Sequence, residues 1–150
     1  MSIGSRIAGA NESGGGNYVT AGDHTFKVRQ LLEKDGRKGQ MFIGELITMA
    51  STTEAPGTIK SYVELFTLEG ADGRCKSFCL AVLRAMCLAV GEDIPDFSKL
   101  SDADLGVEID ALVSADNPGQ ETIIYCQAWA AKSKKGGDVT NKRWSHEPFA

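Results

Sequence analysis

Apolar and polar side chains alternate along most of this chain, and the period changes once. Between His24 and Leu32, Phe26, Val28 and Leu32 share one parity while Lys27 and Arg29 share the other, the pattern of a half-buried strand. Asp35-Gly36-Arg37-Lys38-Gly39 then supplies turn chemistry. Met41 to Ala50 is apolar on both parities, with Met41, Ile43 and Ile47 on one and Phe42 and Leu46 on the other, so it reads as a central strand. Residues 51–57 (STTEAPG) form a loop. Ile59 to Thr67 alternates again, with Ile59, Val63 and Leu65 against Lys60, Tyr62, Glu64 and Phe66.

The period then lengthens. Cys75, Cys79, Val82, Leu83, Met86 and Val90 recur at helical spacing, and Gly91 stands where the helix should stop. Glu92 to Lys99 is an acidic connector containing Pro95. Ser101 with Asp104 suggests a helix start, yet Gly106 disfavours a longer helix by about 1 kcal/mol. Val107, Ile109, Ala111 and Val113 alternate with Glu108 and Asp110. The expectation is one helical turn over Ser101–Leu105 and a strand from Val107 to Ser114. Asn117-Pro118-Gly119 is a turn signal. Strands follow at Thr122–Ala131 and Val139–His146, joined by the hairpin SKKGGD. Residues 1–16, rich in Gly, Ser and Asn, predict a disordered arm. The fold class expected for residues 17–150 is therefore mainly β, about six strands with a helix between the third and fourth.

At 150 residues the chain has room for one domain with a real core. No apolar run is long enough to span a bilayer, and the start of the chain lacks the apolar segment of a secretory signal. A cytoplasmic protein with no membrane partner is expected. Cys75, Cys79, Cys87 and Cys126 lack zinc-site spacing and read as small buried hydrophobes. The net charge of −4 is unevenly spread. Residues 91–120 hold eight acidic side chains against Lys99 alone, leaving a small positive balance elsewhere. A local basic surface of that kind attracts phosphates even when the total charge is negative.

Catalytic patterns are missing from the sequence. Asp23 and His24, like His146 and Glu147, are strand neighbours that point to opposite faces. Nucleophile-elbow, zincin and phosphate-loop motifs do not occur, and the acidic block lacks calcium-loop spacing. Neither an enzyme nor a cofactor or metal site is expected.

Binding chemistry is better represented. In Thr122–Ala131, Ile124, Cys126, Ala128 and Ala130 suit a barrel interior, so the other parity would display Tyr125 and Trp129. The matching outward sets are Lys27 and Arg29 on the first strand and Lys60, Tyr62 and Phe66 on the third. Lys142, Arg143 and Trp144 lie on the last strand, and Lys132, Lys134 and Lys135 at its hairpin. Aromatic platforms bordered by cations are what sequence-tolerant binding of single strands requires, each stacked base contributing roughly 1–3 kcal/mol. The competing reading makes the aromatics packing residues and the hairpin lysines a solvated edge. Tyr125 and Trp129 would then anchor a protein-interaction or assembly module.

In order and motif the chain resembles phage-encoded single-stranded DNA-binding proteins with an OB-fold β-barrel. The carriers are Tyr18 and Gly22 before the first strand, KGQMFIGELITM, CKSFCLAVLRAMCLAVG after the third strand, and SKKGGDVTNKRWS. The resemblance implies coating of exposed single-stranded DNA in phage replication, recombination or repair, in the host cytoplasm. For such a binder a homo-oligomer and contacts with other replication or recombination proteins are further expectations. It puts DNA against Tyr62, Trp129 and the Lys142, Arg143 and Trp144 group. Bacterial-type relatives end in an acidic tail closing with Pro-Phe, whereas SHEPFA has no acidic run before Pro148-Phe149. The internal GEDIPDF at 91–97 reads as a solvated connector rather than a partner peptide or a competitor for the DNA groove, so no tail-mediated recruitment is expected.

Overall fold

The computed structural model describes residues 18–36, 39–66, 77–112 and 121–149. The expected arm over 1–16, Arg37 and Lys38 of the first turn, Cys75, and the Asn117-Pro118-Gly119 turn lie outside them. Among the described residues five antiparallel strands make one sheet: β1 (Gly22–Gly36), β2 (Gly39–Ser51), β3 (Ile59–Phe66), β4 (Ile123–Lys132) and β5 (Asp138–Ser145), in the order β3-β2-β1-β4-β5. Helix α1 (Ser77–Ala89) follows β3, and α2 (Asp102–Leu112) precedes β4. The mainly β expectation holds; β1 is the central strand, and β2 lies between it and β3 with one parity buried and the other half-buried. Among the described residues no helix is long and apolar enough to cross a membrane.

Register explains the core. Along β1, His24, Phe26 and Val28 point inward, and register shifts fall at Thr25/Phe26 and Val28/Gln30. A bulge adds a residue and changes which parity faces in. Leu31, not Leu32, is therefore fully buried. On β2, Phe42, Leu46 and Thr48 face inward, and Gly44 between them lets the Phe78 ring lie on the strand: a Cβ there would meet Phe78 Cζ at 2.4 Å.

Glu64 sets the start of α1. Its carboxylate accepts the amide hydrogens of Phe78 (3.0 Å) and Cys79 (3.1 Å), which would otherwise be orphan donors in the first turn. The helix ends as its glycine predicts. Gly91, at φ +74°, donates to the Leu88 carbonyl (3.1 Å) and Glu92 to the Cys87 carbonyl (2.9 Å), the paired bonds of a Schellman cap.

The expected strand over 107–114 is corrected: residues 102–112 form α2. Ser101 Oγ accepts the Asp104 amide (3.1 Å) and the Ser101 carbonyl accepts that of Leu105 (2.9 Å). Leu105 and Ile109, four apart, are then buried together while Val107 is exposed. Burial of that pair outweighs the glycine penalty at Gly106. Among the described residues the strand count falls from six to five with it.

The sheet coils until its edge strands meet through side chains. The Tyr62 ring on β3 and the Trp144 ring on β5 have centroids 4.8 Å apart. Phe78 of α1 closes the triangle at 5.1 Å from Tyr62 and 4.8 Å from Trp144. Among the described residues no hydrogen-bonded ladder joins β3 to β5, so the sheet is open rather than a closed barrel.

Candidate nucleic-acid interface

The expected binding residues divide between the two faces of the sheet. On β4, Ile124, Cys126 and Ala128 are buried, and Tyr125, Gln127 and Trp129 lie on the outer face. Trp129 is 46 % exposed and Tyr125 half-buried. The register pairs Tyr125 with Ser145, Gln127 with Arg143 and Trp129 with Asn141. Arg143 is thus diagonal to both aromatics, within reach of long side chains. Tyr125 and Trp129 stand about 14 Å apart along the strand.

The cations on this face differ in availability. Arg143 is exposed, its guanidinium 4.4 Å from the centre of the Phe149 ring. Lys134 and Lys135 project from the β4–β5 turn, where Ser133 and Gly137 close the loop (2.8 Å). Lys132 is paired with Asp138 across the hairpin. Lys27 lies 4.0 Å from Glu121, and Arg29, at the bulge, 3.3 Å from Glu45. From Ile123 to Ser145 the sequence carries five basic side chains against one acidic, so the positive potential concentrates on this hairpin.

Four expectations fail or shift on the inner face. On β3 the parity is the reverse of that predicted: Lys60, Tyr62 and Glu64 point inward, and Val63 is exposed on the outer side. Lys60 is only 3 % exposed and its ammonium is 3.0 Å from Glu54. That hydrogen bond, with a second from Thr20 (2.9 Å), holds the Glu54 carboxyl below its ordinary range. Tyr62 packs between Phe78 and Trp144, and burial pushes its hydroxyl pKa up, the Glu64 charge adding to the shift. Trp144 is 7 % exposed, a core residue and not a platform. Lys142 is half-buried, with its ammonium 5.5 Å from the Tyr62 ring centre and donating to the Thr140 carbonyl (3.1 Å). Buried charges survive there because each has a partner. Phe66 is in β3, but its side chain lies outside the described residues.

Beside the outer face is a cleft of about 410 Å³ where β1, β2 and β4 meet the C-terminal segment. Its floor includes His24, whose Nδ1 lies 2.7 Å from Ser51 Oγ and Nε2 2.7 Å from the Thr20 carbonyl. Ser51 Oγ also accepts the amides of Thr53 (3.1 Å) and Glu54 (2.9 Å). This hydroxyl braces the 51–57 loop, and both ring nitrogens of His24 are engaged. Cys126 is no nucleophile at neutral pH, since burial raises its thiol pKa to about 12. No group of three or more His, Cys, Asp or Glu side chains is placed to hold a metal among the described residues.

Asp23, Gln127 and Phe149 belong to this surface and were not singled out from the sequence. Gln127 shares the parity of Tyr125 and Trp129, which was the available signal. The fold-back of Phe149 left no trace in alternation. Comparison with models of protein families and with curated proteins gives no match to this chain.

Proposed function

We propose that the chain binds single-stranded DNA without strong sequence preference, through the outer face of β4 and β5. The observation that carries this is Trp129, half exposed on a strand whose opposite parity is buried through Ile124, Cys126 and Ala128 and emerges into solvent at Ala130. Tyr125 lies on the same face, Arg143 sits diagonal to both, and Lys134 and Lys135 border it. Bases stack on the rings while the cations neutralise phosphates. The order of three strands, a helix and a final hairpin supports an OB-type architecture, as does the contact of the sheet's edges through Tyr62 and Trp144. On this reading the fold is an almost closed OB barrel, and the protein coats exposed strands during phage replication, recombination or repair.

Titration with oligo-dT tests it through tryptophan fluorescence. Trp129 emission should be quenched while Trp144, enclosed by Tyr62, Phe78 and Phe26, stays unaffected. Trp129→Phe should abolish the quenching, whereas unchanged emission of the wild-type protein at low salt would sink the proposal.

A second reading is an assembly surface, favoured by Met49, Val63, Ile123 and Val139, which are also exposed. In that case Trp129→Ala changes the oligomeric state and leaves nucleic-acid titrations flat.

A further inference from the structure

The cleft beside Tyr125 has a chemical character of its own. Asp23 pairs in register with Gln127, and Gln127 with Arg143, so the three side chains form one row across β1, β4 and β5. With adjacent strands about 4.8 Å apart, the row spans roughly 10 Å. It runs from an acceptor-only carboxylate, through an amide that both donates and accepts, to a guanidinium donor. Tyr125 and Thr25 make the next row, and Pro148 and Phe149 close the far wall. Arg143 stands at the rim, stacked on Phe149.

We propose that this cleft seats a single unstacked nucleobase bearing an exocyclic amino group, an inference that rests on the single-strand-binding reading. The Asp23 carboxylate decides the ligand's orientation. It is exposed, has no ion-pair partner among the described residues, and repels phosphate. Its backbone is clamped to Thr52 by two 3.0 Å hydrogen bonds, Asp23 N–H to Thr52 Oγ1 and Thr52 N–H to the Asp23 carbonyl. A carboxylate on a backbone anchored in this way, beside an amide, accepts hydrogen bonds from the amino group of cytosine, adenine or guanine, and thymine offers a carbonyl there instead. The rings of Tyr125 and Phe149 supply apolar walls, and Arg143 is left to the adjoining phosphate. His24 beneath is already committed to Ser51 and Thr20, so it serves as floor. The volume falls at the small end of ligand clefts, enough for one nucleotide.

The test compares oligo-dC with oligo-dT of equal length at equal salt, by anisotropy of a labelled strand, for the wild type, Asp23→Ala and Phe149→Leu. The wild type should favour oligo-dC by about fivefold, a modest preference at the low end of what one base contact gives. Asp23→Ala should bring the ratio close to one without weakening oligo-dT binding, and Phe149→Leu should weaken both. Equal wild-type affinities, a ratio that survives Asp23→Ala, or a neutral Phe149→Leu overturns the inference while single-strand binding stands. Binding of neither oligonucleotide overturns both.

Discussion

Replacing Gly44 with alanine places a methyl group where the Phe78 ring already lies. The added Cβ would sit 2.4 Å from Cζ and 2.9 Å from Cε2 of that ring, far inside the usual carbon–carbon separation of 3.5–4.0 Å. Phe78 has little room to retreat. It is fully buried, with Phe42 at 5.7 Å, Tyr62 at 5.1 Å and Trp144 at 4.8 Å between ring centres. Its amide is also tied to Glu64. Overpacking of this kind costs about 1–3 kcal/mol. Restricting the unfolded chain by removing a glycine returns about 0.4–1 kcal/mol. The net loss should be about 1–2 kcal/mol. At 2–4 °C per kcal/mol for a chain of this size, Tm should fall by about 2–8 °C. Thermal and urea unfolding of wild type, Gly44→Ala, Phe78→Leu and the double variant measures it. The double variant should be less destabilised than the two single losses together, because the smaller side chain makes room for the methyl group. A Gly44→Ala protein as stable as wild type would refute the close approach of α1 to β2.

Two further outcomes separate the faces and the buried charges. Trp129→Ala should weaken oligo-dT binding by about 1–3 kcal/mol, whereas Lys60→Met should leave it within twofold, since Lys60 faces inward against Glu54. The Glu54 carboxyl lies below its ordinary value of 4.5, chiefly through its bond to Lys60. Its stabilising contribution is therefore complete above that value and disappears as pH falls through the lowered folded pKa. Unfolding measured from pH 6 to pH 3 should show a shallower acid limb in Glu54→Gln than in wild type.

Much of the sheet was legible because local chemistry and burial agree. The parity of β4 follows from the small apolar set Ile124, Cys126 and Ala128, which needed an interior. Gly91 marked the end of α1 through its left-handed backbone. The inversion of β3 was hidden, since a strand with Lys60 and Glu64 on one parity reads as polar on that side. What turns both inward are remote partners: Glu54 for the ammonium, and the amides at the start of α1 for the carboxylate. Neither partner shows in the strand's own alternation. Residues 107–113 satisfy both periods, and the choice fell to the joint burial of Ile109 with Leu105, a residue outside the alternating stretch. The bulge at Val28/Gln30 likewise exchanged Leu31 for Leu32. In the candidate interface, Trp129 and Tyr125 could be read from parity. Trp144 could not, because its burial comes from Tyr62 and Phe78 on other elements.

The central claim is single-strand binding by the β4–β5 face, and a salt-dependent titration with matched single- and double-stranded oligonucleotides tests it most directly. With Arg143, Lys134 and Lys135 each neutralising one phosphate, log K for the single strand should fall linearly with log salt at a slope of about −2. Double-stranded DNA should bind more weakly, and Lys134→Ala with Lys135→Ala should flatten the slope. Failure to bind the single strand at low salt, or equal binding of both forms with a slope indifferent to these lysines, would contradict the account.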